Sequence, residues 1–395
     1  MSEAGDLFSS DEMSADEAAG GLNPSEAPGE LLAHLKLSLV PGIGPRHLTS
    51  LLDYFGDPDK VLAASIGDLE QVSGIGPKLA RLIQVARSSE AADTEWRLAC
   101  EHGFRFLERG TAAFPTNLDQ VDDAPRLLRC RGEVIKQDDM AVAIVGARRC
   151  TVYGQQQAER LGRALAMAGL TIVSGLARGI DGAAHRGALA VGGRTIAVSA
   201  TGLLEVYPPE HKDLAAQIAE SGAVLSENRF EQKPSAGLFP QRNRIISGLS
   251  LGVIIVEANR KSGALHTARH AMEQGREVMA LPGRVDSLAS EGCHDLIRDG
   301  ATLIRDADDV LHALGPLIEP VKAEEKGEVR STRELTLNDQ ERAVLNCVHT
   351  DPRPVDEVIR EAGIEPSRVL ATLTVLEMKR LVRRLPGGMI MRAGY

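Results

Sequence analysis

Short apolar segments alternate with amphipathic helical patterns between residues 139 and 315, and this alternation constrains the fold most strongly. Such segments are typical of strands buried on both faces, and helices between them supply the crossovers of a parallel sheet. We therefore predict an α/β fold with a Rossmann-like, doubly wound, mostly parallel sheet. The predicted strands are Ala141–Val145, Leu170–Val173, Arg194–Val198, Ala223–Leu225, Gly252–Val256, Glu277–Leu281 and Ala301–Leu303.

Glycines, hydroxyl groups and arginines gather where these strands end and the next helices begin. Helix N-termini carry unpaired N–H groups and the positive end of the helix dipole, so they attract anions. Arginine adds a planar fork of donors that fits a phosphate group. We therefore predict one connected set of phosphate-binding loops at the carboxyl ends of the strands, long enough to suit a polymer. Its motifs are Ser174–Asp181, Phe239–Ile246, Val256–Ala258 and Ser262–Ala268.

The candidate ligands in these loops are glycines that allow close backbone approach, together with cationic, amide and hydroxyl side chains. Asp181 is expected either to cap the following helix or to orient Arg178. Phe239 has two interpretations, stacking on a base or packing in the core. His185 is expected to be a packed structural side chain. The candidate ligands are Arg148, Gly175, Arg178, Gly179, Arg242, Asn243, Arg244, Lys261, Ser262 and Gly263.

Neither a cofactor nor a metal is predicted. The single glycine after the first strand, Gly146, does not match the dinucleotide-binding fingerprint. His266 and His270 have a spacing found in metal ligands, but without a suitable third ligand an ordinary helix face is the simpler interpretation. No apolar run approaches the roughly 20 residues of a membrane span. The five cysteines lack C-x-x-C spacing, which favours reduced thiols and a cytoplasmic location.

The net charge of −10 comes mostly from the N-terminus, because residues 1–30 contain eight acidic and no basic side chains. Residues 139–315 contain 19 basic and 19 acidic side chains. The net charge of the whole chain therefore does not exclude binding of nucleic acid, which depends instead on local clusters of basic side chains. The composition predicts a disordered acidic tail at residues 1–30 and a linker at residues 316–335.

Residues 31–92 are predicted to form an N-terminal helical, SAM-like domain with two similar glycine turns. The turns Leu39–Pro45 and Val72–Lys78 are about 32 residues apart and resemble paired helix-hairpin-helix units. Sequence-independent DNA contact and a purely structural packing module both remain open for this domain. Residues 93–138 are predicted to be a connecting region with a strand at Phe104–Leu107.

Residues 336–395 show a winged-helix pattern of three helices and a hairpin. Asn338 is placed to cap the first helix. The next helices are predicted at Pro354–Ala362 and Pro366–Lys379, and the strands Leu381–Leu385 and Met389–Arg392 flank a Pro-Gly-Gly turn. Because the middle helix is acidic and the third has few basic residues, we favour a protein-interaction or regulatory role for this module.

The order and content of these motifs closely resemble those of the DNA-processing protein A family (DprA, also called Smf), over residues 31–395. The chain departs from the family pattern at Ala147, His266 and His294, which replace a serine, an aliphatic residue and an asparagine. The matching segments are Ser174–Asp181 with Ala184-His185, Ala188–Thr195, Tyr207-Pro208, Ser226-Glu227, Phe239–Ile246, Gly248–Ser250, Ile255–Ala258, Ser262–Ala268 and Pro282-Gly283.

This resemblance implies a cytoplasmic, non-enzymatic protein of natural transformation that binds single-stranded DNA, protects incoming strands and helps to load the recombinase RecA. It also implies a homodimer formed through the Rossmann-like domain. Asn243 and the backbones of Gly175 and Gly263 would shape the pocket. The implied contacts with the DNA backbone come from Arg148, Arg178, Arg242, Arg244 and Lys261.

Two alternatives use the same fold. The first is a nucleotide-binding or phosphoribohydrolase-like enzyme, but such enzymes carry a glutamate where this chain has Arg269 and His270. Glu257 is then the nearby candidate base, unless it only forms a hydrogen bond to a neighbouring loop. The second alternative is a nucleotide-sensing regulator whose winged helix reads duplex DNA.

Overall fold

The computed structural model describes residues 28–315, 339–349, 352–378, 381–385 and 389–392. It divides into two compact units. The first contains Met1–Arg109 with Pro125–Arg131, and the second contains Gly110–Ala124 with Gly132–Tyr395. The predicted connecting region at residues 93–138 is therefore divided between the two units. The linker prediction at residues 316–335, and all but the last three residues of the acidic tail, lie outside the described residues.

The first unit is mainly helical. Its strand pair, β1 (Arg105–Glu108) and β2 (Leu127–Gly132), is antiparallel, with Phe106 opposite Arg129. β1 confirms the predicted strand with a shift of one residue. The helices are α1 (Gly29–Ser38), α2 (Pro45–Phe55), α3 (Pro58–Ala63), α4 (Ile66–Leu69), α5 (Pro77–Arg87) and α6 (Ala91–His102).

The two glycine turns of this unit each pack against the helix that follows the other turn. Gly42 and Gly74 have φ angles of +94° and +87°, a region that favours glycine. A Cβ on Gly74 would lie 3.1 Å from the ring of His47 in α2. A Cβ on Gly42 would lie 3.6 Å from Leu79 in α5. The paired helix-hairpin-helix prediction is confirmed, with the two turns side by side.

A parallel sheet forms the centre of the second unit, in the order β6-β5-β4-β3-β7-β8-β9. The chain runs outward from β3 to β6 and then returns to the other side of β3, so the switch point lies between β3 and β7. The strands are β3 (Ala141–Val145), β4 (Thr171–Ser174), β5 (Thr195–Val198), β6 (Ala223–Ser226), β7 (Gly252–Ile255), β8 (Glu277–Ala280) and β9 (Thr302–Leu303). The predicted strands are thus confirmed to within a residue at each end.

Helices cover the sheet and bury its apolar side chains. Ile144, Ile254 and Met279 of the sheet join Leu161 and Leu165 in one buried core cluster. Each such side chain contributes about 1.5–3 kcal/mol by burial. The helices are α7 (Thr116–Asp119), α8 (Val152–Met167), α9 (Ile180–Leu189), α10 (Lys212–Ser221), α11 (Leu238–Gly248), α12 (Ala264–Glu273), α13 (Glu291–Arg298) and α14 (Ala307–Leu314).

The C-terminal segments form a winged helix around a core that includes Val344, Val358, Leu373 and Ile390. Its small sheet has the order β10-β12-β11, and β10 was not predicted. Asn338, Lys379 and the Pro-Gly-Gly turn lie outside the described residues. No described helix of the chain is both long and apolar enough to cross a membrane. The elements are α15 (Asp339–Asn346), β10 (Arg353–Pro354), α16 (Val355–Ala362), α17 (Pro366–Met378), β11 (Val382–Leu385) and β12 (Met389–Arg392).

Candidate functional site

A cleft of about 870 Å³ opens at the carboxyl edge of the parallel sheet, around the switch point between β3 and β7. The segments after several neighbouring strands converge on it, as expected for a doubly wound sheet. Its walls come from Gly146–Arg149 after β3, Ala177 and Asp181 after β4, Tyr207 after β5, Pro234–Ala236 after β6, Asn259 and Lys261–Gly263 after β7, and residues of α11 and α12.

The cleft is cationic. Arg148, Arg149 and Lys261 line it with exposed side chains. No carboxylate of the described residues forms an ion pair with any of the three. Unpaired cations converging on one concave surface attract an anionic ligand, since low-dielectric walls focus their field.

Aromatic rings form one wall of the cleft. The Cζ atom of Arg148 lies 4.5 Å from the ring centroid of Phe239. The ring of Tyr207 meets Phe239 edge-on, with 5.8 Å between centroids. Phe239 is half-buried and lines the cleft, so part of its ring is accessible from the cleft. The cation–π contact also holds Arg148 at the cleft wall.

Arg242 forms the buried floor of the cleft. Its Nη1 donates to the carbonyl of Val198, and a Cβ on Gly175 would lie 2.6 Å from its Cζ. Burial lowers the pKa of Arg242 to about 10, although the carboxylate of Asp181 acts in the opposite direction. Burial likewise raises the pKa of Asp181 against the attraction of Arg242. Asp181 accepts a hydrogen bond from the N–H of Ala177 at 3.3 Å. Its carboxylate therefore orients the loop after β4 and does not orient the side chain of Arg178.

Arg244 does not belong to the cleft, which corrects its assignment as a DNA ligand on an exposed loop. The segment Phe239–Ile246 was expected to be a loop, but it lies within α11. Residues two apart in a helix point about 200° apart, so Arg242 and Arg244 leave opposite sides of α11. Arg244 is buried and donates to Glu227 at 2.6 Å, with Asp123 at 3.8 Å.

Arg178 and Gly179 lie beside the cleft and do not line it. The Nη2 atom of Arg178 donates to Glu210 at 2.9 Å, and its Cζ lies 5.8 Å from the ring of Tyr207. Arg178 instead lines a small adjoining niche. Gly179 has a φ of +73°, and a Cβ there would lie 2.8 Å from the carbonyl oxygen of Arg148. Its absent side chain lets the loops after β3 and β4 pack together.

The start of α12 brings the other predicted ligands into the same cleft. Asn243 donates to the carbonyl of Gly263 at 3.3 Å, and the N–H of Ala264 donates weakly to Ser262 at 3.4 Å. α12 begins at Ala264, and its first residues line the cleft together with Lys261, so the positive end of the helix dipole lies at this wall. The segment Ser262–Ala268 thus lines the same cleft as the loop after β3.

Glu257 is buried and fully engaged in holding a loop. Its carboxylate accepts from the N–H of Thr151 at 2.8 Å and from the Thr151 hydroxyl at 2.6 Å. Its backbone carbonyl accepts from Ala147 at 2.7 Å. Glu257 thereby joins the end of β7 to the start of α8. It does not line the cleft, so the structural interpretation of this residue fits the geometry.

His185 is a buried structural side chain, as expected from the sequence. Its Nδ1 lies 2.7 Å from the hydroxyl of Thr195, which itself donates to the carbonyl of Ile172 at 2.6 Å. The imidazole must therefore donate from Nδ1. Burial, helped by neighbouring His211 and two arginines, lowers the pKa of His185 to about 3.

Sequence reasoning did not assign Arg149, Tyr207, Asn259 or the segment Pro234–Ala236 to the site, and it treated His266 only as part of a helix face. The position of Arg149 directly after Arg148 was the available signal for the first of them. The described residues contain no cluster of His, Cys, Asp and Glu side chains that could hold a metal ion.

Three family models match the chain. The model described as DNA recombination-mediator protein A matches residues 105–315, and the DprA winged helix domain matches residues 329–388. A SAM-like helix-hairpin-helix tandem matches residues 35–87. These matches confirm the resemblance predicted from the motifs and all three parts of the predicted fold.

Similar proteins come from several bacteria. Protein Smf of Escherichia coli is 41% identical over 313 residues, which cover 78% of this chain and 83% of that protein. DNA processing protein DprA of Streptococcus pneumoniae is 46% identical over 198 residues, which cover 50% of this chain and 70% of that protein. The X-ray structure of DNA processing protein A from Streptococcus pneumoniae is 36% identical with a TM-score of 0.63, covering 73% of this chain and 98% of that one.

Proposed function

The chain belongs to the DNA recombination-mediator protein A (DprA/Smf) family, and from this premise we propose that its Rossmann-like domain binds single-stranded DNA. The observation that carries the proposal is the convergence of Arg148, Arg149 and Lys261 on one cleft with the N-terminus of α12. Cations and helix N–H groups are the usual donors to phosphate.

The same cleft favours a strand with accessible bases and little sequence preference. Phe239 presents an aromatic wall, and any base has a π-face that can stack there. Few lining side chains have the paired donors and acceptors that read base edges; Asn243 already donates to Gly263. We therefore propose tighter binding of single strands than of duplex.

We further propose, from family membership, that the protein protects incoming strands during natural transformation and helps to load the recombinase RecA. We also propose a cytoplasmic homodimer that assembles through the Rossmann-like domain. A binding role without hydrolysis is supported by Glu257, which lies outside the cleft with both carboxylate oxygens engaged by Thr151. The phosphoribohydrolase alternative would instead have to use Asp181, a carboxylate that lines the cleft, accepts from the N–H of Ala177 and lies near Arg242.

A titration of the full chain with single-stranded DNA, duplex DNA and free nucleotides tests the proposal. The logarithm of the affinity should fall with the logarithm of the salt concentration, by about 0.7 per neutralised phosphate for a single strand. Preference for duplex, or single-strand binding that salt does not weaken, would overturn it. Preference for a mononucleotide would instead support the nucleotide-sensing alternative.

A further inference from the structure

An exposed tyrosine, Tyr153, connects the segments that follow β3 and β8 at the carboxyl edge of the sheet. It belongs to the first turn of α8, which follows β3, but its hydroxyl donates to the carbonyl of Pro282 after β8 at 3.0 Å. In the sheet β7 lies between β3 and β8. The cleft is lined by the segments after β3 and β7, so the hydroxyl of Tyr153 reaches the segment after the next strand of the sheet, β8.

The ring of Tyr153 is held in place and remains accessible. The hydrogen bond to Pro282 ties its far end to the loop after β8, and 44% of the residue is exposed. That loop is anchored in turn, because Nε2 of His294 lies 3.1 Å from the carbonyl oxygen of Gly283. A ring fixed at both ends loses little conformational freedom when a planar ligand covers it.

Exposed apolar side chains occur on the same two segments as Tyr153 and Pro282. They are Val152 at the start of α8, and Val285 and Leu288 in the loop after β8. Arg149, an exposed cation of the cleft, lies four positions before Tyr153 in the chain. A cation that neutralises a phosphate beside an aromatic face that accepts a base is the usual composition of a single-strand binding path.

We propose that Tyr153 is a stacking platform for one nucleobase of a DNA strand that leaves the cleft past Arg149. The inference rests on the proposed single-strand binding and extends its path by one subsite. Continuity with the cationic cleft favours a nucleotide as the occupant. A stable protein interface uses roughly 20–30 residues on each side, far more than this small patch offers.

Oligothymidylates lengthened one nucleotide at a time test the platform in the full-length protein. Fluorescence anisotropy gives the affinity of the wild type and of Tyr153→Ala, Tyr153→Leu and Tyr153→Phe for each length. The shortest oligonucleotide that binds should bind all four proteins equally. Beyond one particular length the wild type and Tyr153→Phe should gain affinity, whereas the Ala and Leu variants should lack this gain and bind about tenfold more weakly.

Met167→Ala is the control and should leave the affinities unchanged, because Met167 is an exposed side chain, 38% accessible, at the opposite end of the same helix α8. Equal affinities of wild type, Tyr153→Ala and Tyr153→Leu at every length would overturn the platform. So would a change in oligomeric state on gel filtration without a change in DNA affinity, since the patch would then join two copies. If the wild type binds no single strand at all, the proposed function itself fails. Thermal unfolding identifies any variant that is not folded, and Tyr153→Leu keeps apolar bulk at the site if the Ala variant is lost.

Discussion

Gly175 leaves open the space that the guanidinium group of Arg242 occupies. The two residues are 67 positions apart in the chain, yet a Cβ on Gly175 would lie 2.6 Å from both Cζ and Nη2 of Arg242. The guanidinium has little freedom to move, because its Nη1 donates to the carbonyl of Val198 and Asp181 attracts it. The guanidinium group of Arg242 can therefore occupy its buried position beneath the cleft only because residue 175 has no side chain.

We expect Gly175→Ala to destabilise the protein by about 1–3 kcal/mol, since the added methyl group overlaps a buried side chain. Denaturant unfolding of the full chain measures this loss. Gly237→Ala is the control, because a Cβ on Gly237 meets nothing within 4 Å. Equal unfolding midpoints for the two variants would show that Arg242 moves aside without cost.

Arg148→Ala should weaken single-strand binding by about 1.5–3 kcal/mol, the value of a hydrogen bond to a charged group. The slope of log affinity against log salt concentration should become shallower by about 0.7, because the variant neutralises one phosphate fewer. Thermal stability should change little, because Arg148 is exposed and has no ion pair among the described residues. Arg163→Ala removes an exposed arginine outside the cleft and should leave the affinity unchanged; equal losses in both variants would contradict the site.

Arg244→Ala should act mainly on stability. Its side chain is 9% exposed and paired with Glu227, so its removal should cost about 1–3 kcal/mol of unfolding free energy. If Arg244 were the exposed ligand inferred from the sequence, its replacement and that of Arg242 would leave stability nearly intact. A variant with unchanged unfolding and strongly reduced DNA affinity would restore that first assignment.

Acid should destabilise the protein through His185. Its folded pKa of about 3 lies below the ordinary value of 6.5, so between these values the unfolded chain binds more protons. The stability contributed by the neutral ring is present above pH 6.5 and is lost as the pH falls. From pH 6.5 to pH 5 we expect a loss of about 2 kcal/mol from this residue. His185→Gln should flatten that part of the stability curve, and an unchanged slope would contradict the assignment.

Glu257→Gln should lower the free energy of unfolding, and it should not affect any hydrolytic activity, because we expect none in the wild type. The carboxylate accepts two hydrogen bonds from Thr151, and an amide offers only one acceptor oxygen in its place. We expect a cost of about 1–3 kcal/mol. Purified wild-type protein should not hydrolyse nucleoside monophosphates. Steady turnover that disappears in Glu257→Gln would establish the hydrolase alternative.

Much of the architecture could be predicted from local patterns. Strands buried on both faces must be continuously apolar, so Ala141–Val145 and Gly252–Ile255 stand out in the chain. The turns at Gly42 and Gly74 require φ values that favour glycine, which makes the helical repeat visible. Cleft residues such as Arg148 and Lys261 were also predictable, because each lies in the segment between the end of a strand and the next helix.

The helix α11 was not predicted, because Pro240 lies inside the motif Phe239–Ile246. A proline is tolerated in the first turn of a helix, where its missing N–H has no partner to lose. Pro240 is the third residue of α11, so it suggests a loop where the chain is helical. This one misassignment placed Arg242 and Arg244 together, although they leave opposite sides of the helix.

The sequence by itself determined the strand order along the chain, the glycine turns and the residue types at the ends of the strands, since each depends on neighbours within a few positions. Only the tertiary structure decided which cations face the cleft. Arg148 remains exposed beside Phe239, Arg242 is buried near Asp181, and Arg244 is paired with Glu227. Whether an arginine binds a ligand or stabilises the fold depends on the burial and partners that distant segments supply, because a buried charge needs a compensating partner and an exposed one does not.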